Sequence, residues 1–189
     1  MLALRELYAK IRRRQFEPAD ARELIKTSYY FAGAHPDVHI DLSVSRPADF
    51  HFQEVPKYEQ RGMHSMFQSM DDAAMAISAA LNCATGEEAL RLLPHKKSVA
   101  IHSRTAAQHI PEMTVRSAIA SMGVRTGTMY GTASTAFVVV VLNLCDGSVV
   151  LTTAYPTHMI QPKQWPAMQP PPPDGKDLLE YGGNFYPYP

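Results

Sequence analysis

The sequence predicts an α+β fold, with N-terminal helices packed on a small, mainly antiparallel β-sheet. Three observations carry this expectation. Apolar residues recur at helical spacing through the first thirty positions; a further helical stripe follows Ser69; and two β-branched runs near residue 140 are separated by Asp146-Gly147. The chain divides by pattern into a helical hairpin over 1–34, an α+β domain over 35–161, and a Pro-rich extended tail over 162–189.

The first helix spans residues 2–14, where Leu2, Leu4, Leu7, Tyr8 and Ile11 share a face and Arg12, Arg13 and Arg14 complement the C-terminal end of the helix dipole. Glu17-Pro18 breaks it. A second helix is expected over 19–31, carrying Ala21, Leu24, Ile25 and Tyr29. This hairpin reads either as a lid on the core or as a docking module.

Residues 38–44 alternate with period two and read as a short strand. Ser69 or Asp71 then caps a helix whose stripe is Ala74, Ile77, Ala80 and Leu81. Thr85 and Glu88 stand at capping-box spacing for a second helix running to Leu93. Ser98 to His102 reads as a strand. Met113 to Met122 reads as a helix, and Gly123 to Gly131 as a loop.

The hairpin signal is the strongest. Residues 135–144 and 148–154 flank Cys145-Asp146-Gly147, and a two-residue turn of this kind needs positive φ at both central positions. The first strand is apolar on both faces and is expected to lie centrally; the second is expected to stop at Pro156, which has no N–H for a ladder. Beyond Pro162, four consecutive prolines (Pro170 to Pro173) favour polyproline II, so the remainder reads as an extended tail fit to bind a protein partner, or as one whose Tyr181, Tyr186 and Tyr188 dock on the body.

Composition narrows the function. Hydrophobic residues make up 46% and charged residues 19%, so the chain can build a core without staples. Lysine and arginine exactly balance the acidic residues in number, at 18 each, which argues against a protein that grips long nucleic acid by charge alone. No apolar run reaches a membrane span, and the opening residues lack the pattern of a secretory signal. Cys83 and Cys145 have no metal-type spacing and read as buried thiols of a reducing compartment; Cys145 beside Asp146 is poorly placed to be an activated nucleophile. Among the eight histidines, none stands in HxxxH or HExxH register on a helix, and no metal or cofactor is expected.

Thr153 and Tyr155, two apart on a strand, project from one face. A hydroxyl and a phenol side by side can hydrogen-bond the nonbridging oxygens of a phosphate without a metal. The competing reading buries the Tyr155 ring in the core.

Order and motif add to this. His39-Ile40, then Ser65-Met66-Phe67 leading into the Asp71-Asp72-Ala73-Ala74 helix, then Val138 to Leu142, Asp146-Gly147 and Thr153-Ala154-Tyr155-Pro156 follow one another over residues 39–157. This succession resembles the RNase A-like toxin domains of bacterial contact-dependent inhibition and polymorphic toxins, in the barnase–EndoU–colicin–RelE group. The resemblance implies metal-independent cleavage of cellular RNA, such as tRNA, by 2′-hydroxyl attack. It implies His39 as general acid or base, Thr153 and Tyr155 as phosphate contacts, and an arginine after the histidine to neutralise the phosphate. Arg46 is the nearest arginine and Arg61 the next, but the Gly-Lys and the Arg-bearing helix that follow the family histidine have no counterpart here. A cognate immunity or antitoxin protein is implied as partner, with synthesis in the cytosol and delivery by a dedicated secretion system. The alternative is a non-catalytic interaction protein that uses the same fold as a docking surface.

Overall fold

The computed structural model describes residues 2–34, 64–67, 69–104, 113–121, 124–133, 137–157, 177–182 and 184–188. They form an α+β fold. In chain order its elements are α1 (Leu4–Arg12), α2 (Pro18–Ser28), β1 (His64–Phe67), α3 (Met70–Leu81), α4 (Ala84–Lys96), β2 (Ser98–Arg104), β3 (Met113–Ser121), β4 (Val124–Ala133), β5 (Phe137–Cys145), β6 (Ser148–Thr157), β7 (Asp177–Tyr181) and β8 (Asn184–Tyr188). The strand expected over 38–44 lies outside the described residues.

The helices begin and end where local chemistry dictates. Pro18 opens α2, where its missing N–H costs nothing, and the Glu17 and Asp20 side chains cap each other's backbone. Ser69 caps α3 by accepting the Asp72 N–H at 3.1 Å. The expected capping box of α4 does not form. Its N-cap is Cys83, and the Thr85 hydroxyl instead donates to Asp177 Oδ2 at 2.9 Å. The Asp177 carboxylate thereby lies beside the first turn, where the helix dipole favours negative charge.

Two antiparallel sheets are present among the described residues. The larger has order β6-β5-β2-β7-β8 and the smaller β1-β3-β4. The segment expected as a helix and loop over 113–131 is instead the β3–β4 hairpin, with Ser121 opposite Val124. Ala and Met residues there suit a helix in isolation, but Thr114, Val115, Ile119, Val124, Thr126 and Thr128 suit paired strands, and cross-strand pairing decides. The end of the expected tail is also a hairpin. β7 pairs with β2 (Ile101 opposite Leu179), and β8 folds back on β7. Leu178 and Leu179 are both fully buried, which gives this segment the apolar anchor that a solvated tail lacks.

β5 lies between β6 and β2, as its two apolar faces require. The β5–β6 turn has Asp146 at φ 48° and Gly147 at φ 76°, the geometry that Asp-Gly favours. β6 does not stop at Pro156; it runs on to Thr157, with Pro156 opposite Val138. This is permitted because β6 is an edge strand, where a missing N–H need not break a ladder.

All four described helices contribute to one core. Leu7, Ile11, Leu24, Ile77 and Leu90 cluster with Val99, Ile101, Val138, Val140, Leu142, Leu151 and Leu179. Each such side chain contributes roughly 1.5–3 kcal/mol on burial. The alternate residues of β2 and β5 (Ala100, His102, Val139, Val141) project from the other, far face, which none of the described helices covers. No described helix is long and apolar enough to cross a membrane.

The N-terminal helices also hold the outer edge of β6. Leu4 N–H donates to the Gly147 carbonyl and Val149 N–H to the Leu2 carbonyl. Further along, Leu151 N–H donates to Ser28 Oγ at 2.9 Å, while Ser28 Oγ donates to the Leu24 carbonyl. Unpaired edge groups are thereby covered rather than left as a template for another strand.

Candidate functional site

The register of β6 breaks once. Leu142 is opposite Leu151, but Val141 is opposite Thr153, so Thr152 is an extra residue and forms a β-bulge. The consequence for side-chain direction is large. Val149 and Leu151 point into the helix-covered core, and without the bulge Thr153 and Tyr155 would follow them. Instead Ala154 takes the core position, and Thr153 and Tyr155 turn to the far face.

On that face two cross-strand rows run over the sheet. One is Tyr155, Val139, His102 and Leu178; the other is Thr153, Val141, Ala100 and Glu180. His102 therefore shares a face with the Thr-x-Tyr pair, two strands away, or about 10 Å between backbones. Its Nε2 lies 2.9 Å from Glu180 Oε2 on the neighbouring strand. Glu180 is half-buried, whereas His102 is 5% exposed.

Around the bulge three buried polar atoms lack a hydrogen-bond partner: Thr153 Oγ1, Thr152 Oγ1 and Asn143 Oδ1. Asn143 lies two residues from Val141, the partner of Thr153, and on the same face of β5. A buried polar atom without a partner costs about 1–3 kcal/mol. Three of them lie along one irregularity of the ladder, so its cost is concentrated there.

Of the residues expected at the site, Thr153 and Tyr155 are described and share a face. His39 and Arg46 lie outside the described residues, as does Arg61. His102, Glu180 and Asn143 were not singled out in the sequence. For Glu180 the reason is plain, since its segment read as tail; for His102, the signal was its place in an alternating strand whose even positions face away from the helices.

A second polar cluster sits on the helix-covered side. Asp177 Oδ2 accepts from Thr85 Oγ1 at 2.9 Å and Ser103 Oγ at 3.0 Å, with Cys83 Sγ at 3.8 Å. Burial raises the Cys83 thiol above its ordinary pKa; a hydrogen bond from the Gly86 backbone opposes this, and the Asp177 charge adds a lesser push upward. A thiol held protonated beside a carboxylate is a structural donor, and this cluster joins α4, β2 and β7. Among the described residues, no group of three His, Cys, Asp or Glu side chains is placed to hold a metal ion.

Comparison with protein-family models, with curated proteins and with solved structures finds no match to this chain.

Proposed function

We propose that this protein is a metal-independent endoribonuclease whose reacting groups lie on the far face of the larger sheet. The observation that carries the proposal is the partnerless Thr153 hydroxyl, buried on the same face as Tyr155 and the His102–Glu180 pair. Thr153 donates to a nonbridging phosphoryl oxygen, and Tyr155, from the same face, donates to a second. A histidine takes the proton from the RNA 2′-hydroxyl, whose oxygen attacks phosphorus. The bond from phosphorus to the 5′-oxygen breaks, and that oxygen receives a proton as it leaves. The products are a 2′,3′-cyclic phosphate and a 5′-hydroxyl. His39 is proposed for the histidine role by family resemblance; His102, on the same face with its Nε2 2.9 Å from Glu180 Oε2, is the second candidate. Arg46 is proposed for charge neutralisation on resemblance alone.

A second reading has a specific observation in its favour. Val139, 3% exposed, stands between Tyr155 and the nearly sealed His102 in the same row. Such packing suits a non-catalytic interaction protein in which the pair is structural. The ribonuclease reading proposes a cognate inhibitor protein as partner; the second proposes a protein partner docked on the fold itself.

The test is incubation of the purified protein with tRNA in the presence of EDTA, with end-group analysis of the fragments. Fragments ending in cyclic phosphate, and lost in Thr153→Val and Tyr155→Phe, support the ribonuclease. Intact RNA with a folded protein assigns the face to docking. His39→Ala and His102→Gln then separate the two candidate bases.

A further inference from the structure

The C-terminal hairpin is fastened to the sheet through β7, since β8 is the outermost strand and pairs only with β7. Side chains of β7 alternate between the two faces of the sheet, and each face carries one carboxylate. On the helix-covered face Asp177 accepts from Thr85 of α4 and from Ser103 of β2, and Leu179 enters the core. Tyr181 follows on that face, with Lys96 Nζ of α4 over its ring at 4.9 Å from the centroid. On the far face Leu178 is fully buried and Glu180 meets His102 of β2.

This attachment is slighter than the pairing inside it. β2 is paired with β5 along its whole length, from Ser98 opposite Asn143 to Arg104 opposite Phe137. β7 reaches β2 only at Ala100, Ile101 and His102. Departure of the hairpin therefore leaves β2, β5 and β6 paired and the helices packed on them. The Thr85 and Ser103 hydroxyls, which Asp177 now partners, then lie at a new sheet edge, where water replaces the carboxylate. The apolar burial lost is chiefly that of Leu178 and Leu179. A peripheral element with few buried apolar side chains opens ahead of the core.

The hairpin stands against the His102 end of the far face. His102 is 5% exposed; its cross-strand neighbour Leu178 and its carboxylate contact Glu180 both come from β7. We propose that β7–β8 is an autoinhibitory strap. Asp177 latches it shut, and its opening as one unit takes Leu178 and Glu180 away from His102 and admits RNA to that end of the face. This rests on the ribonuclease reading and deepens it, by adding a regulatory step at the same site. The structure is the closed form.

The experiment follows amide hydrogen exchange of the full chain, by mass spectrometry of peptic fragments, beside cleavage of tRNA in EDTA. Wild type is compared with Asp177→Ala and Leu179→Ala, which loosen the hairpin through different contacts. In wild type the β7–β8 fragment is expected to exchange at least about 10-fold faster than fragments from β5 and β6. Each variant should speed β7–β8 by about a further 10-fold with β5 and β6 unchanged, and should raise cleavage by a similar factor. The wild-type comparison needs no substitution and stands if a variant fails to fold. A β7–β8 fragment that exchanges no faster than β5 and β6 overturns the strap, because the hairpin then opens only in global unfolding. Faster exchange with cleavage at or below the wild-type rate overturns the autoinhibition. The two proposals fail separately. Early opening with no cleavage by any of the three proteins removes the ribonuclease and leaves only the opening, whereas cleavage without early opening removes the strap and leaves the ribonuclease.

Discussion

The Ser28 hydroxyl on α2 accepts the Leu151 backbone N–H on β6 one residue before the bulge at Thr152. That hydroxyl also donates to the Leu24 carbonyl, so one buried oxygen links the second helix to the strand position where side-chain direction reverses. The helical hairpin thus helps to set which way Thr153 and Tyr155 face.

Replacement of Ser28 by alanine removes both bonds and leaves the Leu151 N–H buried without a partner. The expected cost is about 1–3 kcal/mol, read as a lower urea midpoint with an unchanged slope. Ser28→Thr, which keeps the oxygen, tests whether the bond rather than the volume matters. A midpoint unchanged in Ser28→Ala would show that water or a shift of β6 satisfies the amide.

Gly86 has a different role in the same framework. A Cβ built there falls 2.2 Å from the Leu81 carbonyl oxygen, which is backbone and cannot rotate aside. The close approach of the start of α4 to the end of α3 therefore requires glycine. Gly86→Ala is expected to destabilise by about 1–3 kcal/mol, despite the usual gain when alanine replaces a helical glycine. Thermal unfolding checks this, and a higher midpoint would contradict the close approach.

Sequence patterns disclosed the helices and the β5–β6 hairpin because each buries its own apolar stripe and carries its own cap or turn. They did not disclose β3, β4, β7 or β8. In β3 and β4, alanine and methionine gave a helical reading that only cross-strand partners overrule. In β7, the preceding prolines masked Asp177-Leu178-Leu179, whose burial depends on a strand 76 to 80 residues earlier (Ala100 opposite Glu180, Ile101 opposite Leu179, His102 opposite Leu178). The Thr153–Tyr155 pair was visible as two residues on one face, but which face depends on a single inserted residue. No period in the sequence marks Thr152 as that residue, and His102 joined the same face only once the register was known.

The Glu88–Arg91 pair gives a pH dependence with a definite sign. Hydrogen bonding from Arg91 holds the Glu88 carboxyl below its ordinary value of 4.5. A depressed folded-state pKa stabilises at pH above the unfolded value, and that stabilisation is lost as pH falls from about 4.5 through the folded value. Because Arg91 is largely exposed, solvent screening limits the pair to a few tenths of a kcal/mol. Arg91→Gln should lower the thermal midpoint by about 1–2 °C at pH 6 and by less at pH 3. A difference that grows in acid would reverse the assigned sign.

Asp177 gathers Thr85, Ser103 and Cys83 where α4, β2 and β7 meet, and its removal tests whether the C-terminal hairpin depends on this cluster. Asp177→Ala strands two hydroxyl donors and is expected to destabilise by about 2–4 kcal/mol, summed over two bonds to a charged group with partial solvent repair. Removing the carboxylate also removes one cause of the raised Cys83 pKa, so Cys83 should react faster with iodoacetamide at pH 8 in this variant. Comparison at Asp177→Asn, which keeps the shape without the charge, separates the electrostatic cause from local opening. Unaltered alkylation in both variants would leave burial as the whole cause.

Thr153 separates stability from function most directly. Its hydroxyl is buried without a partner, so in the ligand-free protein it is a cost rather than a bond. Valine keeps the β-branched shape and removes that cost, and Thr153→Val should raise unfolding stability by about 1 kcal/mol. If the hydroxyl meets a phosphoryl oxygen during reaction, the same change removes a donor aimed at developing charge and should reduce RNA cleavage by about 100-fold. A more stable and less active variant is the outcome expected of a residue retained for chemistry. A destabilised variant would mean that the hydroxyl has an unseen partner in the folded chain. A stabilised variant of full activity would leave Thr153 outside the reaction, and the far face would then lose its strongest link to a phosphate.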